Sequence, residues 1–186
     1  MKTATSTTTI GSVRSFPTSQ ALATAPILVL GLGNQLLGDD GAGLRLLDAL
    51  TEQFPASDGV EFIDGGTQGL ALTGYLADRK AVLVLDAMAL GAAPGTVHIL
   101  RGDELWRIRT DRGTTAHEGN ALELFATARM LGYQWTEVAA VGIEPRNIRT
   151  GIGLTDEAEA ALAGALLKAR TILDEMVMTY VSCDSR

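Results

Sequence analysis

Apolar positions in this chain follow two rhythms that take turns. Short continuous runs at 27–31, 60–64, 81–87 and 138–143 have the length and Val/Ile/Leu content of strands buried on both faces. Between them the spacing becomes helical: Leu44, Leu47, Leu50 and Phe54 lie before the second run, and 70–76 before the third. Strands alternating with helices predict an α/β fold in which a parallel sheet is covered by helices on both faces. Residues 95–101 break the alternation. They read as a strand, yet they follow the strand ending at Asp86 after only the short segment 87–94. A parallel crossover needs a dozen residues or more. This strand is therefore expected to run antiparallel to its predecessor, near an edge of a mixed sheet. Beyond it the pattern predicts a short helix around 103–108, a polar loop over 110–115 and a helix over 119–131. A long closing helix follows over 155–180, with Thr155 as N-cap and Asp156 and Glu157 in its first turn. No internal repeat interrupts this order.

The first strand leads into the most informative segment, ILVLGLGNQLLGDDGAG at 27–43, where a glycine-rich turn ends in two adjacent carboxylates before a helix. Loops at the carboxyl ends of strands in open α/β sheets are where ligands bind. Gly31-Leu32-Gly33 opens like a dinucleotide-binding fingerprint, but the third glycine position is Leu36, and Asp39 and Asp40 stand where a pyrophosphate would need bare N–H groups. Acids at that place suit a cation better than a phosphate. The simpler reading is helix capping, and one of the two aspartates is expected to serve as a cap.

Composition narrows the field. The chain has 186 residues, 46% hydrophobic, with a net charge of −7. No apolar run approaches the ~20 residues that span a bilayer, so no membrane is expected, and no basic cluster suggests nucleic acid as a partner. The single cysteine, Cys183, excludes an intrachain disulfide and a cysteine metal cluster, as fits the cytoplasm. Residues 1–24 are rich in Ser and Thr, lack the apolar core of a secretory signal, and read as a disordered arm on one domain spanning 25–186.

Two more acids end apolar runs: Asp64 in DGGT and Asp86 in LDAMALG. With Asp40 they make three carboxylates at one edge of the sheet, a costly burial unless something cationic holds them. Of the two histidines, His98 lies inside the edge strand and reads as a strand side chain without a catalytic role. His117 lies in the loop TTAHEGN, just before a helix, where site residues concentrate. Two carboxylates and an imidazole form an open O/O/N set suited to a divalent first-row metal and too sparse for a structural zinc site. No GxSxG or HExxH occurs, and Ser182 and Cys183 stand at the tail.

The ordered series GLGNQLLGDDGAG, DGGTQG, LDAMALGAAPGT, TAHEGN, VGIEP and GIGLT resembles the nickel–iron hydrogenase maturation endopeptidases over about 27–173. The resemblance implies an α/β/α sandwich around a five-stranded, mostly parallel mixed sheet. It implies a protease that removes the C-terminal extension of the hydrogenase large subunit once nickel has been inserted. The family's metal-contacting positions fall on Asp40, Asp86 and His117, with Asp40 a shorter variant of the Glu found there in many members. Asp64 matches a further characteristic position, so Asp40, Asp64, Asp86 and His117 form the implied catalytic set. Nickel would arrive with the substrate, with cadmium or zinc as surrogates, and either Asp40 or Asp64 is a candidate general base. The partner implied is the large-subunit precursor, and the expected state is a monomer. The alternatives are a nickel-site chaperone that binds the large subunit without cutting it, and a nucleoside- or phosphate-binding enzyme. The latter is disfavoured because no Arg or Lys stands in the motif loops.

Overall fold

The computed structural model describes residues 24–54, 59–107 and 121–180. The arm up to residue 23, the polar loop at 110–115, His117, Ser182 and Cys183 lie outside the described residues.

Five strands, β1 (Ile27–Leu32), β2 (Val60–Gly66), β3 (Ala81–Ala87), β4 (Val97–Arg101) and β5 (Glu137–Ile143), form one sheet in the order β2-β1-β3-β5-β4. All neighbours are parallel except β4, which pairs antiparallel with β5 at the edge. The 95–101 segment thus has the direction expected, but its partner is β5 rather than its predecessor β3. The long segment between β4 and β5 returns the chain so that β5 slots in between them. Every residue of β1 and the first six of β3 are buried, as unbroken apolar runs require.

Helices α1 (Ala42–Gln53) and α4 (Asp156–Tyr180) cover one face, and α2 (Asp103–Arg107) and α3 (Ala121–Met130) lie on the other with a 3-10 helix at Gly69–Leu76. The pleat divides the core accordingly. Val29, Leu83, Leu85 and Val141 pack with Leu46, Leu50, Ile172 and Leu173, whereas Leu28, Leu30, Val82 and Val84 pack with Leu72, Leu76, Leu124 and Phe125. The result is the three-layer α/β/α sandwich with a mixed, mostly parallel sheet.

Strand order decides where ligands meet this fold. From β1 the chain leaves through α1 to β2 on one side, while from β3 it leaves toward β4 and β5 on the other. Two neighbouring parallel strands whose outgoing loops diverge leave a crevice between them at their carboxyl ends. The loop after β1 and the end of β3 form its walls.

Candidate active site at the switch point

Asp40 and Asp86 come from those two walls. Asp40 lies in a single 3-10 turn, Asp39–Gly41, which continues into α1, and Asp86 is the last buried residue of β3. Close approach of α1 to the sheet makes the meeting possible. A Cβ on Gly43 would lie 2.3 Å from the Leu32 carbonyl oxygen, 2.4 Å from that of Leu85 and 2.8 Å from the Asp86 Cα, so only glycine lets the first turn of α1 rest on the ends of β1 and β3. Gly33, at φ +122°, makes the preceding bend, and a Cβ there would strike the Asp40 carbonyl oxygen.

Both carboxylates are buried. Asp86 follows the pleat onto the α3 face. Its Oδ1 accepts the Ala87 N–H at 2.8 Å, and its Oδ2 accepts the N–H of Ala121, the first residue of α3, at 3.0 Å. Burial pushes its pKa up to about 7. The charge of Asp40 pushes the same way, and the two N–H donors pull it back. A carboxylate poised near neutrality by dehydration and a second acid is a site feature rather than a packing one. A cation placed between the two would reverse the strain.

Asp64 takes a different place. Its strand, β2, is the outer neighbour of β1, and its side chain is exposed, with Oδ1 accepting the Gly66 N–H at 2.9 Å in a local turn. The expectation of three buried acids is thereby corrected to two, because an edge strand leaves its last residues open to water. Among the described residues no three His, Cys, Asp or Glu side chains gather as a metal site. His117, the expected nitrogen donor, lies outside the described residues. In sequence it stands four positions before Ala121, whose N–H is bound to Asp86.

Asp39 is fully buried, but it does not cap the helix it precedes, and the expected aspartate cap is not formed. No side chain caps α1. In the 3-10 turn before it the Asp40 N–H bonds to the Leu37 carbonyl and the Gly41 N–H to that of Gly38, and the Ala42 N–H, the first of α1, bonds to the Asp39 carbonyl. Asp39 instead accepts the N–H of Arg146 at 2.8 Å and the N–H and hydroxyl of Thr155 at 2.7 and 2.9 Å. Thr155 thus donates its hydroxyl to Asp39, whose carboxylate sits at the start of α4.

Sequence reasoning passed over one further buried acid, Glu144 in VGIEP. Its carboxylate accepts the N–H groups of Leu90 and Gly91 at 2.9 and 3.0 Å and meets the His98 Nε2 at 2.8 Å. It ties the loop leaving Asp86 to the end of β5. The usable signal was the one that marked Asp64 and Asp86, a carboxylate closing an apolar run. His98, in the edge strand, serves this anchor.

An α/β/α sandwich with a buried acid pair at its topological switch point defines the class of protein as an open-sheet α/β protein with a candidate site in that crevice. The model of the hydrogenase maturation protease family matches residues 44–172. Hydrogenase expression/formation protein HoxM of Azotobacter vinelandii is 36% identical over 154 residues, covering 82% of this chain and 74% of that protein. The hydrogenase 2 maturation protease of Escherichia coli strain K12 is 35% identical over 150 residues, 80% of this chain and 91% of the relative. The solved structure of the hydrogenase maturating endopeptidase HybD from E. coli superposes with a TM-score of 0.72 at 34% identity, covering 81% of this chain and 93% of the other. The chain belongs to the hydrogenase maturation protease family, and it is an endopeptidase.

Proposed function

We propose that this endopeptidase removes the C-terminal extension of a nickel–iron hydrogenase large subunit after nickel insertion, and that the nickel held by the precursor is what it recognises. The observation that carries this reading is the buried pair Asp40 and Asp86, with Asp86 raised to about 7 by dehydration and by its neighbour. Two such acids favour a divalent cation over a neutral peptide group. Asp40 and Asp86 would supply oxygen ligands to nickel brought by the precursor, and His117 the nitrogen. A cation held there would polarise a carbonyl or activate a water beside the scissile peptide. Asp64, exposed to solvent one strand away, is the carboxylate through which a water proton can leave. Cadmium or zinc should occupy the same ligands. We also assign the reaction to the cytoplasm, in keeping with the single cysteine, and the protein to a monomeric state; among the described residues no helix is long and apolar enough to cross a membrane.

The decisive experiment incubates the protein with nickel-loaded precursor and follows the precursor mass. Loss of a C-terminal peptide supports the endopeptidase; tight binding with no mass change would make the protein a nickel-site chaperone instead. His117→Ala should abolish processing while leaving the thermal unfolding curve in place, and His98→Ala should leave a cleaving enzyme. Full cleavage by the His117 variant would remove that residue from the mechanism.

A further inference from the structure

The loop that carries Asp40 is half of a small ribbon standing over the carboxyl edge of the sheet. Residues 36–38 pair with 148–151 through bridges between Leu37 and Gly151 and between Gly38 and Ile148. The Gly38 N–H donates to the Gly151 carbonyl, and the Gly151 N–H donates to that of Leu36, both at 2.9 Å. Asp39, at the foot of the ribbon, fastens the two halves by its three bonds to Arg146 and Thr155. A buried carboxylate committed wholly to loop N–H and hydroxyl groups makes this ribbon a rigid feature of the fold.

Its apolar residues are not used by the core. Ile152 is 91% exposed and Leu36 62% exposed. Ile152 is flanked by Gly151 and Gly153, so no adjacent side chain in the chain covers it, and the hydrogen bond from the Gly151 N–H to the Leu36 carbonyl brings the backbones of the two loops together. Single exposed leucines are ordinary on protein surfaces. Two on loops joined by the Leu36–Gly151 bond, with Leu36 only four residues before Asp40 in the chain, form an anchor beside the acid pair, where a protein substrate must lie.

We propose that this ribbon is the docking element for the substrate, and that Leu36 and Ile152 are specificity-determining contacts which seat an apolar segment of the hydrogenase precursor next to the cleavage point. The inference rests on the reading of the site as the place where precursor is cut. Preorganisation by Asp39 keeps the entropy cost of docking low, so the two side chains can contribute affinity without a closing motion.

The test compares wild type, the double variant Leu36→Ser with Ile152→Ser, and a control, Leu167→Ser with Met178→Ser, whose residues are also exposed, on α4. Precursor binding and precursor cleavage are measured separately, together with thermal unfolding and sedimentation. Loss of the ribbon contacts should weaken precursor binding about tenfold or more and raise KM correspondingly, with an unchanged unfolding temperature and no effect in the control. Equal binding and KM in ribbon variant and wild type would overturn the inference while leaving the protease reading intact. Wild type that binds precursor without cutting it, with binding lost in the ribbon variant, would overturn the protease reading and keep the docking surface. A concentration-dependent dimer abolished by the ribbon substitutions would assign the patch to a second copy of this chain and overturn the proposal.

Discussion

A single buried carboxyl makes a measurable statement about pH. The Asp86 pKa stands near 3.8 in the unfolded chain and about 7 in the fold, so the folded state binds its proton more tightly. The stability associated with that proton is fully present below about pH 4 and is lost as pH rises through about 7, with a penalty approaching about 4 kcal/mol above it in metal-free protein. Asparagine carries no charge, but its amide NH2 cannot accept, so one of the two N–H groups bound to Asp86 loses its acceptor. Metal-free Asp86→Asn should thus fall below wild type in urea unfolding at pH 4 and gain on it as pH rises to 8, while its affinity for cadmium falls. Parallel stability profiles for the two proteins would show that dehydration of Asp86 is relieved by some other group. Asp39, also buried, accepts three hydrogen bonds from Arg146 and Thr155, and so it belongs to the ribbon.

At the scale of the element, the site depends on how closely α1 lies against the ends of β1 and β3. Three backbone atoms occupy the space a side chain at Gly43 would need, and none belongs to a flexible group. Gly43→Ala must therefore lift the first turn of α1 off the sheet and carry Asp40 away from Asp86. The expected cost is about 3 kcal/mol of stability, with a loss of cleavage at temperatures where the variant is still folded. Gly164→Ala provides the contrast. It lies on the exposed side of α4 with nothing within 4 Å of its new Cβ, and should stabilise the protein by about 1 kcal/mol with unchanged cleavage. Equal unfolding midpoints for the two alanine variants would contradict the close contact at Gly43.

For the molecule as a whole, the sheet begins at Ile27, and the chain just before it is held by hydrogen bonds from residues 79–81. Arg79 donates to the carbonyl of Ala25, and Lys80 and Ala81 donate their N–H groups to that of Pro26. A chain beginning at residue 25 retains both acceptor carbonyls and all three bonds. Removal of residues 1–24 should leave both the thermal unfolding curve and the rate of precursor cleavage within error of the full chain. A large fall in either would show that the arm contacts the domain or the precursor.

The sequence by itself determined the element order, the class of fold and the positions where carboxylates close apolar runs, because periodicity and turn chemistry are local properties of neighbouring residues. The β4 segment illustrates the limit: an eight-residue connection dictated its direction, whereas its partner β5 enters the chain some 36 residues later and could be assigned only by the packed sheet. The acids divide in the same way. Asp39, Asp40, Asp64, Asp86 and Glu144 all carry similar local signals, yet one staples a ribbon to residues 107 and 116 positions away, two meet in the crevice, one faces water and one anchors a loop through His98. Only the tertiary structure decided among these roles, since burial, dehydration and the direction of a hydrogen bond depend on which strands become neighbours, and strand order is set by the packing of distant apolar faces rather than by any local run of residues.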